Sequence, residues 1–185
     1  MPRCSHSDWL RFSRAGQSTY FGFINAIKEL GGAKPKLIML ENVTGFLTSK
    51  GGADFVRAVT TLAELGYWVD TVVLDAKMFV PQSRPRVFVI GFHESLQSSR
   101  IIRQGHRAMF GDAWQTAIDD AGALRPSVLL KLMVSTSLPT GWATLSLRPP
   151  KQAQYNLVSI IDTTEDQDWW DQAANDKHYA MLSDL

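Results

Sequence analysis

At 185 residues the chain holds one ordinary domain, or one plus an incomplete second, and its 45% hydrophobic and 20% charged content excludes a disordered protein. A single cysteine excludes an internal disulfide framework and fits a reducing cytoplasm, and with four scattered histidines it offers no metal-ligand spacing. The net charge of +1 selects no partner, no apolar run approaches the roughly 20 residues of a membrane span, and the N-terminus lacks a signal-peptide core.

Residues 18–31 predict a helix, with Ser18 or Thr19 as its cap, Phe23, Ile27 and Leu30 on one face, and Gly31-Gly32 as its stop. A buried strand is expected at 36–41, then a glycine-rich loop over 44–52. A second helix over 53–65 turns Phe55, Val59 and Leu62 inward, and Gly66 ends it. Residues 67–74 alternate as a strand, and 87–90 form another apolar run. Strand, helix, strand with short links predicts a right-handed parallel βαβ unit. The strand after Pro85 lacks a crossover helix, so it is expected to return antiparallel. Residues 94–126 are polar with one helix near 113–121, and 127–133 read as helical. Residues 138–142 are rich in turn formers, 157–162 suggest a short strand or linker, and Trp169-Trp170 with 178–182 suggest an amphipathic end. Residues 1–36 carry six basic groups and two acids, whereas 162–185 carry seven acids and one lysine. A basic front is compatible with phosphate contact and an acidic tail would be repelled from it; solvated surfaces of unequal sign are the alternative reading, above all for the tail.

Two short motifs stand out, Met-Leu-Glu-Asn-Val at 39–43 and Pro-Gln-Ser-Arg-Pro-Arg at 81–86. Glu41 falls at the C-terminal end of an apolar strand, where open α/β sheets place their ligands. Arg84 and Arg86, one residue apart at the start of an extended segment, can point to the same side and grip an anion. One acid plus an arginine fork is a polar pocket suited to a base with its phosphate. A merely structural, buried ion pair between Glu41 and Arg84 or Arg86 is the competing explanation.

Glu41-Asn42-Val43 after a strand, and Gln82-x-Arg84-x-Arg86 before another, resemble the sixth and eighth motifs of the DNA (cytosine-5)-methyltransferases. Phe12-Ser13-Arg14-Ala15-Gly16 is similar to the end of that family's catalytic-loop motif, so the resemblance runs from about Phe12 to Phe92. It implies an α/β fold: the C-terminal half of a doubly wound, mostly parallel methyltransferase-like sheet with one antiparallel strand, plus an irregular C-terminal extension. It divides the chain into a partial catalytic domain at 1–93 and, at 94–185, a linker with the start of a target-recognition-like region. It implies transfer of methyl from S-adenosylmethionine to cytosine C5 in DNA, through a cysteine thiolate added to C6 of a flipped base. Glu41 would meet N3 and the exocyclic amine, and Arg84 the base or the nucleophile region. Asn42 would hold the catalytic loop, Gln82 and Arg86 would support phosphate and loop geometry, and Tyr20, at the fifth motif, would touch the cofactor.

The family's Pro-Cys-Gln-x-Phe-Ser pattern puts its cysteine three residues before the phenylalanine, where this chain has Trp9, with Leu10 in place of glutamine. Cys4 lies eight residues before Phe12, after Arg3 rather than proline, with His6 beside it. Either the loop carries an insertion and Cys4 is the nucleophile, or the motif is lost; the missing glutamine favours loss. No Phe-x-Gly-x-Gly loop is present, because neither Gly31-Gly32 nor Gly51-Gly52 follows a strand and opens a helix. The resemblance therefore implies a chain inactive by itself. Two further readings are one subunit of a split enzyme and a non-catalytic DNA- or protein-binding module. Self-association or a complementing subunit would cover an open half-sheet.

Overall fold

The computed structural model describes residues 19–104, 112–151, 158 and 171–182, in two units divided between Ala153 and Gln154. In the first unit, helix α1 (Thr19–Glu29) leads through a turn at Gly31–Ala33 to strand β1 (Leu37–Val43). Two short 3-10 turns, Thr44–Leu47 and Ser49–Gly52, then deliver helix α2 (Ala53–Glu64). At Gly52 φ is +95°, a left-handed conformation that favours glycine, and an added Cβ would fall 2.7 Å from a terminal methyl of Leu132, which would have to shift. Strands β2 (Tyr67–Asp75) and β3 (Pro85–His93) follow, then β4 (Ile101–Gln104), helices α3 (Asp112–Ala121) and α4 (Ser127–Ser135), and β5 (Trp142–Leu145).

The five strands form one sheet in the order β1-β3-β2-β5-β4. β3 runs antiparallel to both β1 and β2, pairing Leu37 with Phe92 on one side and Trp68 with Phe92 on the other. The return of β3 is antiparallel as expected, but it lies between β1 and β2, which therefore share no hydrogen bonds. β4 and β5 are also antiparallel, and only β2 with β5 is parallel. The expectation of a mostly parallel, doubly wound half-sheet is corrected accordingly: most neighbours are antiparallel. The physical reason is the short 76–84 connection, which can only turn the chain back, and its return strand fills the place beside β2 that a parallel β1 would need.

The main core lies on one face of the sheet. Phe55, Val59 and Leu62 of α2 face inward as expected and pack with Ile38, Val69, Val87, Val89 and Tyr67. Each such side chain contributes about 1.5–3 kcal/mol on burial. On α1 the buried residues are Tyr20, Ile24 and Ile27, spaced i, i+4, i+7, whereas Leu30 is exposed. The apolar face expected at Phe23, Ile27 and Leu30 is thus rotated by one residue. A smaller cluster of Val72, Ala121 and Leu124, with Phe88 and Ile90 against it, fills part of the other face.

β1 is an edge strand, and its burial alternates. Ile38 is buried, but Leu37 and Met39 are 56% and 65% exposed. The expected fully buried strand is instead half-covered, because no described element lies over its Leu37-Met39-Glu41-Val43 face. In the second unit, helix α5 (Gln172–Leu182) begins at Asp171, whose carboxylate accepts from the Ala174 amide at 2.7 Å. Its Tyr179 and Met181 are exposed. Trp169 and Trp170 lie outside the described residues.

Candidate functional site: an acid–arginine pair at the sheet edge

Glu41 is the third residue from the end of β1, and β3 starts beside it. The register sets Val43 opposite Arg86 and Glu41 opposite Phe88, so Glu41 and Arg86 are diagonal neighbours on one face. A long side chain spans that diagonal: Arg86 Nε donates to Glu41 Oε1 at 3.0 Å. Arg86 also donates through Nη1 to the Pro85 carbonyl at 2.9 Å, which holds the guanidinium along the strand. Asn42, on the opposite face by alternation, accepts from the Val43 amide through Oδ1 at 2.8 Å.

The pair is not the buried ion pair expected from sequence. The Glu41 side chain is 56% exposed and that of Arg86 21%, because the outer face of β1 is uncovered. Solvent screening limits such a pair to below about 1 kcal/mol. Glu41→Gln is therefore expected to change the unfolding free energy by less than about 1 kcal/mol, as read from urea denaturation. A much larger loss would make the pair a structural clamp.

Of the two arginines, Arg86 meets the acid. Arg84 precedes β3, is exposed, and makes no side-chain ion pair or hydrogen bond among the described residues. Its amide is fixed: it donates to Asp75 Oδ1 at 2.7 Å. The same carboxylate accepts from the Ser83 hydroxyl at 2.9 Å and the Lys77 amide at 3.0 Å. These bonds, led by the Lys77 amide, hold the Asp75 carboxyl below its ordinary range. Sequence reasoning passed over Asp75. The available signal was an acid ending a strand just before a loop, a position from which Asp side chains bond backbone amides a few residues on. Gln82 is exposed on this same loop.

Tyr20 stands elsewhere. Its ring is in the core, and its hydroxyl donates to the Ala58 carbonyl at 2.8 Å, joining α1 to α2. Burial pushes its phenol well above the usual range. Cys4, His6, Trp9 and the Phe12–Gly16 segment lie outside the described residues. Among the described residues no group of three or more His, Cys, Asp or Glu gathers as a metal site, and no helix is long and apolar enough to cross a membrane.

The family model for C-5 cytosine-specific DNA methylase matches residues 10–126, a span that contains Glu41, Asp75, Arg84 and Arg86. Among similar curated proteins, the type II methyltransferase M.BsuFI of Bacillus subtilis is 36% identical over 86 residues, covering 46% of this chain and 20% of that protein. M.AgeI of Thalassovita gelatinovora is 42% identical over 73 residues, covering 39% of this chain and 16% of the relative. M.MthTI of Methanothermobacter thermautotrophicus is 35% identical over 79 residues, or 42% and 23%. The chain thus spans about a fifth of the length of these relatives. With well over half of its residues under the family model, and the Glu-Asn-Val and Gln-x-Arg-x-Arg motifs meeting through a 3.0 Å ion pair, the chain belongs to the C-5 cytosine-specific DNA methylases.

Proposed function

We propose that the chain is a partial DNA (cytosine-5)-methyltransferase that carries the base-holding edge of the active site but does not methylate DNA alone. The observation that carries this reading is the solvent-facing Glu41–Arg86 pair at the C-terminal end of β1. Developing charge on a cytosine ring needs a hydrogen-bonding carboxyl at N3 and the exocyclic amine, and Glu41 is free to turn toward a base at little energetic cost. Arg86 orients that carboxyl, Arg84 supplies a cation to the base or its phosphate, and Gln82 and Asn42 steady the loops on either side. Residues 1–93 are the partial catalytic domain in this reading, and 94–185 are the linker and start of a target-recognition-like region. DNA in the cytoplasm is the substrate.

The methyl donor of this chemistry is S-adenosylmethionine, and the described residues do not fit it. The Tyr20 hydroxyl is committed to Ala58, and Asp70, the one fully buried carboxylate among the described residues, is already held by Arg125, Thr71 and Leu145. Donor binding is therefore assigned to polypeptide outside these residues, as in a split enzyme with a complementing subunit.

The expected result is no transfer of labelled methyl to duplex DNA by this chain alone. Transfer is expected when a second polypeptide supplies a glycine loop and a Pro-Cys-Gln segment, and Glu41→Gln should abolish it. Transfer by the chain alone that vanishes in Cys4→Ser would overturn this reading and make Cys4 the nucleophile.

A further inference from the structure

We propose that Asp75 is the positioning residue for Arg84: its carboxylate ties the loop between β2 and β3 into one shape and thereby sets where that guanidinium meets DNA. The proposal rests on the reading of Arg84 as a DNA contact and adds a residue that this reading does not assign.

The loop has little else to hold its second half. Phe79 and Val80 are exposed, as are Gln82, Ser83 and Arg84. Hydrophobic burial therefore does not fix the segment that carries the motif. Ordering exposed residues costs backbone entropy, so specific bonds must offset that cost. Asp75 supplies them from both ends of the loop. The Lys77 amide bonds Oδ1 at the start, while the Arg84 amide and the Ser83 hydroxyl reach Oδ1 and Oδ2 at the finish. The Lys77 ammonium lies 3.7 Å from Oδ2, and the Ala76 amide donates to the Arg84 carbonyl at 3.3 Å. Both backbone groups of Arg84 are thus engaged, one by Asp75 and one by the residue next to it. Its side chain remains available, two residues before the arginine that grips Glu41. A cation held this way loses less freedom on meeting a phosphate, which is how a pre-ordered loop raises affinity.

Two measurements on the full chain test this. The Arg84 amide proton, donating to a carboxylate at 2.7 Å, is expected to resonate downfield and to exchange slowly. Asp75→Ala should move it toward the random-coil position and speed its exchange by about tenfold or more, with Asp75→Asn, which keeps an acceptor, in between. An unchanged Arg84 amide in Asp75→Ala overturns the proposal. In the second measurement, a fluorescent duplex oligonucleotide is titrated with wild type, Asp75→Ala, Arg84→Ala and the double variant. Each single change should weaken binding by about tenfold, and the double no more than Arg84→Ala alone. Additive losses would mean that Asp75 does not act through Arg84, and would also overturn it. A wild-type chain that fails to bind the duplex would sink the DNA reading, while the amide measurement would still decide whether Asp75 sets Arg84.

Discussion

Arg125→Met is expected to cost about 3–5 kcal/mol of stability, the cost of leaving one partner of a buried ion pair alone. Arg125 follows the turn between α3 and α4, and its Nη2 donates to Asp70 Oδ2 at 2.8 Å with both side chains fully buried. Oδ2 also accepts from the Leu145 amide at 2.8 Å, and Oδ1 from the Thr71 amide at 2.7 Å. One carboxylate thus joins β2, the α3–α4 corner and β5. Burial pushes its pKa up, opposed chiefly by Arg125, so removing the cation strands a charge where water cannot reach it. Among the described residues Arg125 Nε and Nη1 meet no hydrogen-bond partner, so the pair is itself an imperfect arrangement. Asp70→Asn added to Arg125→Met should therefore recover a substantial part of the loss, because it neutralises the stranded group and keeps an acceptor for an amide. Urea unfolding of the three variants measures this. A loss below about 1 kcal/mol for Arg125→Met would contradict the burial of the pair.

Phe55→Ala is the second large effect, expected at about 3–5 kcal/mol. The ring is fully buried, stacked on Trp142 at 6.4 Å between centroids and edge-on to Phe46 at 6.0 Å. Its loss empties the junction of α2, β5 and the turn after β1. Melting should fall by about 10 °C or more. Phe46 follows Glu41 by five residues, so the site-bearing strand end loses support as well. Phe55→Leu, which keeps most of the volume, should cost clearly less. Near-equal melting of Phe55→Ala and wild type would show that this junction is not packed as described.

The strongly patterned elements were legible because their apolar spacing is long enough to set a phase. α2 is the clearest case, with Phe55, Val59 and Leu62 inward and Gly66 beyond its end. β1 misled because Leu37-Ile38-Met39-Leu40 is apolar on both faces, and a run of that kind records no exposure pattern. Only the sheet order reveals that one face is open. β4 and β5 were missed because each has four residues, and the pairing of Gln104 with Trp142 reaches across the whole of α3 and α4. The meeting of Glu41 with an arginine was readable from two motifs beside two strands. Which arginine it would be was not, since the choice turns on a register that places Arg86, not Arg84, on the diagonal from Glu41.

The place of β3 between β1 and β2 has a consequence for the chain as it leaves the ribosome. β1 finds its first described sheet partner only when residues 86–92 have emerged, some fifty residues after its own start. At about 5–20 residues per second, the strand bearing Glu41 waits several seconds with its backbone unpaired. During that interval α1 and α2 can form locally, but β1 and β2 cannot close a sheet by themselves. A nascent chain stalled before Pro85 would therefore be the species most exposed to chaperones and to wrong pairing, and release beyond His93 would mark the point of rescue.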